Sequence, residues 1–144
     1  MCIVVATDGS EAAMRAVEFA ARLASCFGGE LKIVNAVSVP EPPQEQLAAF
    51  SRQGRMSVKA FLGEQSEETL KIARQRANEL GVPGARSESR TGDAATAIID
   101  IACRDQADVI VLGKRGLGRL SGLLLGSVSQ KVVGLAPCTV IVVP

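Results

Sequence analysis

Two rhythms of apolar residues alternate along the chain. Short, nearly unbroken apolar runs (Cys2 to Thr7, Leu31 to Val39, Val109 to Leu112, Thr139 to Val143) read as strands. Between them apolar residues recur every three or four positions. Ala16, Ala20, Leu23 and Phe27, with Val17 and Ala24 beside them, predict a first helix that Gly28-Gly29 closes. Leu70, Ala73, Ala77 and Leu80 predict a second, closed by Gly81 and Pro83. Thr91-Gly92-Asp93 opens a third, carrying Ala97, Ile98, Ile101 and Ala102. Val128, Val132 and Leu135 mark a last helix that Pro137 ends. Residues 85–90 alternate only weakly and make a poor third strand on their own. From Pro40 to about Ser57 there are three prolines and little periodicity, which reads as a loop or mobile excursion.

Apolar strands alternating with helices predict a parallel sheet covered on both faces. Right-handed crossovers make it a doubly wound α/β fold, here with five strands and helices on both faces. The 144 residues, 47% apolar, suit a single domain over 1–144. Ligands in such sheets sit outside the carboxyl ends of the strands, where the strand order reverses. Asp8 and Gly113 are the most suggestive residues at strand ends here.

Composition narrows the chemistry. No apolar run approaches the ~20 residues of a membrane span, and the amino end lacks the zones of a signal peptide, so the expected location is cytoplasmic. Sixteen basic and fifteen acidic side chains leave a net charge of +1, which provides no field to recruit nucleic acid or anionic lipid. Tyrosine and tryptophan are absent, so there is no stacking platform of those residues for single strands. Histidine is absent too, which removes Ser-His and Cys-His catalysis. The scattered Cys2, Cys26, Cys103 and Cys138 form no metal-type pair and read as small buried hydrophobes. Phe19, Phe27, Phe50 and Phe61 read as packing residues rather than base stackers.

After the fourth apolar run comes Gly113-Lys-Arg-Gly116, and later Leu125-Gly126-Ser127: the spacing Gly-x2-Gly-x9-Gly-Ser. A Walker-type loop does not fit, because Arg115 follows Gly113-Lys114. A dinucleotide fingerprint fails at Ser121, where its last glycine belongs. The physics still suits an anion. Gly113 and Gly116 permit close backbone approach and positive φ, Gly126 and Ser127 stand where a helix begins, and Ser127 and Ser129 offer hydroxyls. Lys114, Arg115 and Arg119 add positive charge. The other reading is a connection whose glycines only make turns and whose basic residues are solvated. Asp8 likewise has two readings, crevice residue or helix N-cap with Glu11 as its reciprocal carboxylate.

These segments resemble the universal stress protein family, in its ATP-binding branch. Gly113, Gly116, Gly126 and Ser127 match that branch's glycine pattern. Ile3-Val-Val-Ala-Thr-Asp-Gly-Ser10 is similar to the family's first strand and turn, and Ala107 to Gly113 to its fourth strand. Leu125 to Ser129 and Ala136 to Val140 resemble its carboxyl-terminal third. The resemblance implies strand order 3-2-1-4-5. It places Ala6, Thr7 and Asp8 along a nucleotide crevice, and Ala36 and Val37 facing adenine with backbone hydrogen bonds. Leu112 and Gly113 then lie near ribose, and Gly116, Gly126, Ser127, Val128 and Ser129 around the phosphates, with Arg115 in reach of them. Many members end the second strand in His-Val; here Asn35-Ala36 stands there, which bears on the base side of the pocket.

The implied ligand is ATP, or ADP or AMP, with any Mg²⁺ carried on the phosphates. The implied role is a nucleotide-controlled signalling or stress-response module that turns ATP over slowly, if at all. Two alternatives stand. One is a slow hydrolase or autophosphorylating phosphotransfer protein using Ser121, Ser127 or Ser129; the other is a nucleotide-free dimeric interaction protein. Thr139 to Val143 is an apolar edge strand that invites pairing, and the resemblance implies a homodimer through it. In the alternative, Pro144 and the edge twist keep the chain monomeric.

Overall fold

The computed structural model describes residues 1–38, 52–117 and 125–144. Five parallel strands, β1 (Cys2–Ala6), β2 (Glu30–Val37), β3 (Arg86–Thr91), β4 (Val109–Gly113) and β5 (Thr139–Val143), form one sheet in the order β3-β2-β1-β4-β5. The order is the one the family resemblance implied. Helices α1 (Glu11–Phe27) and α2 (Arg52–Glu79) cover one face. The opposite face carries α3 (Ala94–Arg104) and α4 (Ser127–Leu135). Alternate residues of the central strands feed the two cores. Ile3, Val5, Leu31 and Ile33 pack under α1 and α2, while Val4, Val34, Ile110 and Leu112 pack under α3 and α4. Burial on both faces is why these strands read as unbroken apolar runs. Among the described residues no helix is long and apolar enough to cross a membrane.

Several elements differ from the sequence expectation. β2 begins at Glu30 and ends at Val37, before Ser38. α2 starts at Arg52, inside the stretch expected as loop; residues 40–51 of that stretch lie outside the described residues. Among the residues whose burial is described, its buried ones, Ser66, Leu70, Ala73 and Ala77, lie in its second half. Positions 58–61 and 63–65 face solvent, so no amphipathic stripe announces that part of the helix. β3 is polar yet pairs along its whole length with β2, from Lys32↔Arg86 to Val37↔Thr91. An ionic cluster fastens it. Lys32 Nζ lies 2.7 Å from both Glu88 and Asp105, and Arg104 donates to both Glu88 oxygens at 3.1 and 2.7 Å. The Arg104 guanidinium, with Lys32 and Arg90, pulls the Glu88 carboxyl down to about 2.

The N-cap of α1 is Ser10, whose Oγ accepts the Ala13 N–H at 3.3 Å, and not Asp8. Glu11 points into solvent. At the other end Gly28 adopts φ 62, the left-handed cap expected of it. The buried stripe of α1 stops at Ala24, and Phe27 is 70% exposed. Phe19 and Phe61 are exposed as well, contrary to the packing role expected of them; Phe50 lies outside the described residues. Leu135 also faces solvent. The cysteines are not core residues either. Cys26 and Cys103 are exposed, and Cys2 and Cys138 half-buried. Cys26 and Cys103 sit near helix ends, where the core has run out. Cys2 stands at the start of β1 and Cys138 just before β5, both packed against the edge of the α3–α4 core.

Candidate functional site

β1 and β4 are neighbours at the middle of the sheet, but the chain leaves β1 for α1 on one face and reaches α4 from β4 on the other. A crevice of about 320 Å³ opens at their carboxyl ends. Its floor is Ala6 of β1 with Thr7 and Asp8 just after it, and Leu112 and Gly113 of β4. Its walls include Ala36 of β2, then Arg115, Gly116 and Gly126, and Ser127, Val128 and Ser129 of α4. These are the expected site residues save one: Val37 does not line it. The Val37 carbonyl accepts the Gly92 N–H at 2.9 Å, which prolongs the β2–β3 pairing. Ala36 differs because the β1–β2 register stops at Ala6↔Val34, leaving its β1-facing edge past the end of the ladder.

Asp8 organises the glycine segment. Its Oδ1 accepts the Ser10 N–H at 2.9 Å, and its Oδ2 accepts the Leu117 N–H at 2.9 Å. A Cβ on Gly116 would collide with that same Oδ2. A Cβ on Gly113 would stand 2.7–2.8 Å from the Ala12 and Ala13 backbone, so this glycine admits helix α1 rather than a ligand. Neither has positive φ, contrary to expectation; among the described residues that conformation belongs to Gly9, Gly28, Gly81 and Gly92, and to Gln106. The Lys114 peptide bridges two elements, its N–H on the Val143 carbonyl at 2.6 Å and its carbonyl accepting the Gly126 N–H at 2.9 Å.

Two helix amino ends border the crevice, and they differ. Ala94 of α3 lines it, but that end is closed by Asp93, which accepts the Thr96 N–H at 2.9 Å and its hydroxyl at 2.7 Å. The Thr96 hydroxyl, then the Lys131 ammonium, hold the Asp93 carboxyl well below the usual carboxylate range. The N-cap of α4 is Gly126, which has no side chain to cap with, and the helical ladder begins only at Gln130 N–H on the Gly126 carbonyl. The amides of residues 127–129 therefore have no intrahelical partner, which is the arrangement an anion fits.

The Ser129 hydroxyl, expected as a donor to phosphate, instead donates to the Gly113 carbonyl at 2.8 Å and is buried. Ser127 remains exposed at the mouth. Arg119 and Ser121 lie outside the described residues. Asn35 faces away from the crevice, toward α2, so its amide is not part of the base side. The sequence reading missed Ala13, Ala94, Ile98, Leu117 and Leu125 of the lining. Ala94 and Ile98 are one helical turn apart, and Ile98 was legible only as a core residue. Among the described residues no group of three Cys, Asp or Glu side chains could hold a metal ion.

The universal stress protein family model matches residues 1–144. The chain belongs to the universal stress protein family. A universal stress protein of Thermus aquaticus is 37% identical over 141 residues, spanning 98% of this chain and 96% of the relative. UspA of Lactobacillus plantarum superposes with a TM-score of 0.85 at 25% identity, covering 100% of this chain and 97% of that one. A universal stress protein solved in complex with cAMP matches with a TM-score of 0.74 at 28% identity, covering 100% and 97%.

Proposed function

We propose that this universal stress protein binds an adenine nucleotide, ATP foremost, in the crevice between β1 and β4. It then acts as a nucleotide-controlled signalling or stress-response module with little or no hydrolysis. The observation that carries this reading is the open amino end of α4 beside the Asp8-fastened glycine segment. Phosphates would meet the 127–129 amides and the Ser127 hydroxyl, with Arg115 alongside. The base would lie toward Ala36, Ala94 and Ile98. The relative solved with cAMP supports an adenine nucleotide as the ligand class.

Low turnover follows from what the residues can offer. The chain has no histidine, and both oxygens of Asp8 already accept backbone N–H groups. Neither a free general base nor a dedicated metal carboxylate stands in the described lining, so Mg²⁺ would travel on the phosphates. Titration calorimetry with ATP, ADP, AMP and cAMP tests the reading, together with melting curves. ATP at ~100 times its Kd should raise the melting temperature by about 5–10 °C. Absence of both heat and shift would sink the nucleotide reading and favour an interaction protein. The exposed Ser127 favours phosphotransfer as the second reading. Labelled γ-phosphate found on the protein, or turnover of ~1 s⁻¹, would establish that reading instead.

We also propose a homodimer through β5. Its residues Val140–Val143 are half-buried and apolar at the sheet edge, whereas the other edge, β3, is polar. Ile141→Lys should convert a dimer to a monomer in sedimentation velocity; a dimer indifferent to the change would place the interface elsewhere. The location proposed is the cytoplasm.

A further inference from the structure

We infer that Asn35 is a positioning residue for the crevice, acting through the Thr7–Asp8 peptide from the opposite face of the sheet. This rests on the nucleotide reading for its consequence but on hydrogen bonds for its mechanism. Asn35 is 6% exposed, and both ends of its amide are engaged. Its Nδ2 donates to the Thr7 carbonyl at 2.7 Å, and its Oδ1 accepts from the Ser66 hydroxyl at 2.7 Å. Ser66 Oγ also lies 2.7 Å from Ser89 Oγ.

The direction of this chain is determined. The Thr7 carbonyl can only accept, so the amide nitrogen must face it and Oδ1 must face Ser66. Ser66 has one proton and gives it to Asn35, so Ser89 donates to Ser66. Every bond thus points from β3 through α2 and β2 to the end of β1, an arrangement in which each bond polarises the next.

The position of the Thr7 carbonyl makes this matter. Backbone pairing between β1 and β2 ends with the Thr7 N–H on the Val34 carbonyl at 2.8 Å. Past that point the Asn35 side chain supplies the next donor, so it prolongs the β1–β2 pairing by one bond. The peptide it holds leads directly into Asp8, whose carboxylate fastens Ser10 and Leu117. Rotation of that peptide would carry Asp8, and with it the glycine segment, out of register.

Asn35→Asp keeps the side-chain volume and the acceptor for Ser66 but turns an oxygen toward the Thr7 carbonyl. Ile33→Val and Ile33→Ala, on the same face of β2, remove packing without touching the polar chain and span a range of stability losses. ATP affinity is measured by calorimetry well below the melting temperatures, and amide exchange is followed at Ser10 and Leu117. Asn35→Asp should weaken ATP binding by about tenfold or more and strip protection from both amides. Ile33→Ala should melt earlier yet stay within about twofold of the parent in affinity. An Asn35→Asp affinity within about twofold of the parent, or losses that simply follow melting temperature across the set, would overturn the inference. If the parent binds no ATP, the nucleotide reading falls separately, and exchange decides. Protection lost in Asn35→Asp but kept in Ile33→Ala upholds positioning, and equal loss refutes it. Should Asn35→Asp fail to fold, Ser66→Ala carries the same comparison, with an expected weakening of about threefold.

Discussion

Gly116→Ala should leave the fold intact and cost about 10- to 100-fold in ATP affinity. The backbone at Gly116 does not have positive φ, so alanine is not strained there. Its new methyl meets only the end of one side chain, the Oδ2 of Asp8, which can rotate away. Rotation breaks the Asp8 bond to the Leu117 amide and frees the loop from the end of β1. One hydrogen bond is worth about 1 kcal/mol to folding. A crevice that needs the loop at a fixed height loses more in affinity than the fold loses in stability. Calorimetry beside a melting curve checks this: a large fall in melting temperature with unchanged affinity would mean that Gly116 serves the fold and not the site.

Gly113→Ala should do the reverse, lowering the melting temperature by about 10 °C. Here the methyl would press on the carbonyl carbon and oxygen of Ala12 and the nitrogen of Ala13, which are helix backbone and cannot rotate aside. Either α1 lifts from β4 or β4 shifts within its ladder to β5. Overpacking of that kind costs roughly 1–3 kcal/mol, occasionally more, and each kcal/mol is worth about 2–4 °C in a chain of this size. Gly134→Ala in α4 is the control, because nothing lies within 4 Å of a Cβ there and alanine favours a helix. Thermal denaturation of the two should give shifts of opposite sign. A Gly113→Ala protein as stable as Gly134→Ala would contradict the packing described for α1.

These two glycines show how far the sequence reading reached. Their spacing carried the family resemblance, which implied thirteen crevice residues, and twelve of those line the crevice. The reasons for the glycines were not legible, because they depend on which backbone or side chain arrives from elsewhere in the chain. Gly113 accommodates α1, Gly116 accommodates Asp8, and only Gly126 leaves helix amides uncovered. Ser129 and Asn35 illustrate the same limit. Both are polar residues near the expected site, and each takes a partner that no local pattern reveals, Gly113 for one and Ser66 for the other. The central strands were legible because burial on two faces leaves an apolar run. β3 was legible only weakly, at 85–90, since pairing with β2 and charges from β2 and α3 hold it in place of apolar burial.

The contrast between the two outer strands limits how copies of this chain can add to one another. β5 offers an apolar rim, while β3 presents Arg86, Glu88 and Arg90, with Glu88 tied to Lys32 and Arg104. A strand arriving at β3 would have to displace that charge pattern, which natural sheets use to refuse such additions. Sheet-to-sheet growth, if it began at β5 as proposed, would therefore have no second step. In the homodimer proposed through β5, both outer rims would be ionic, and the joined sheet would stop there instead of continuing as a fibril.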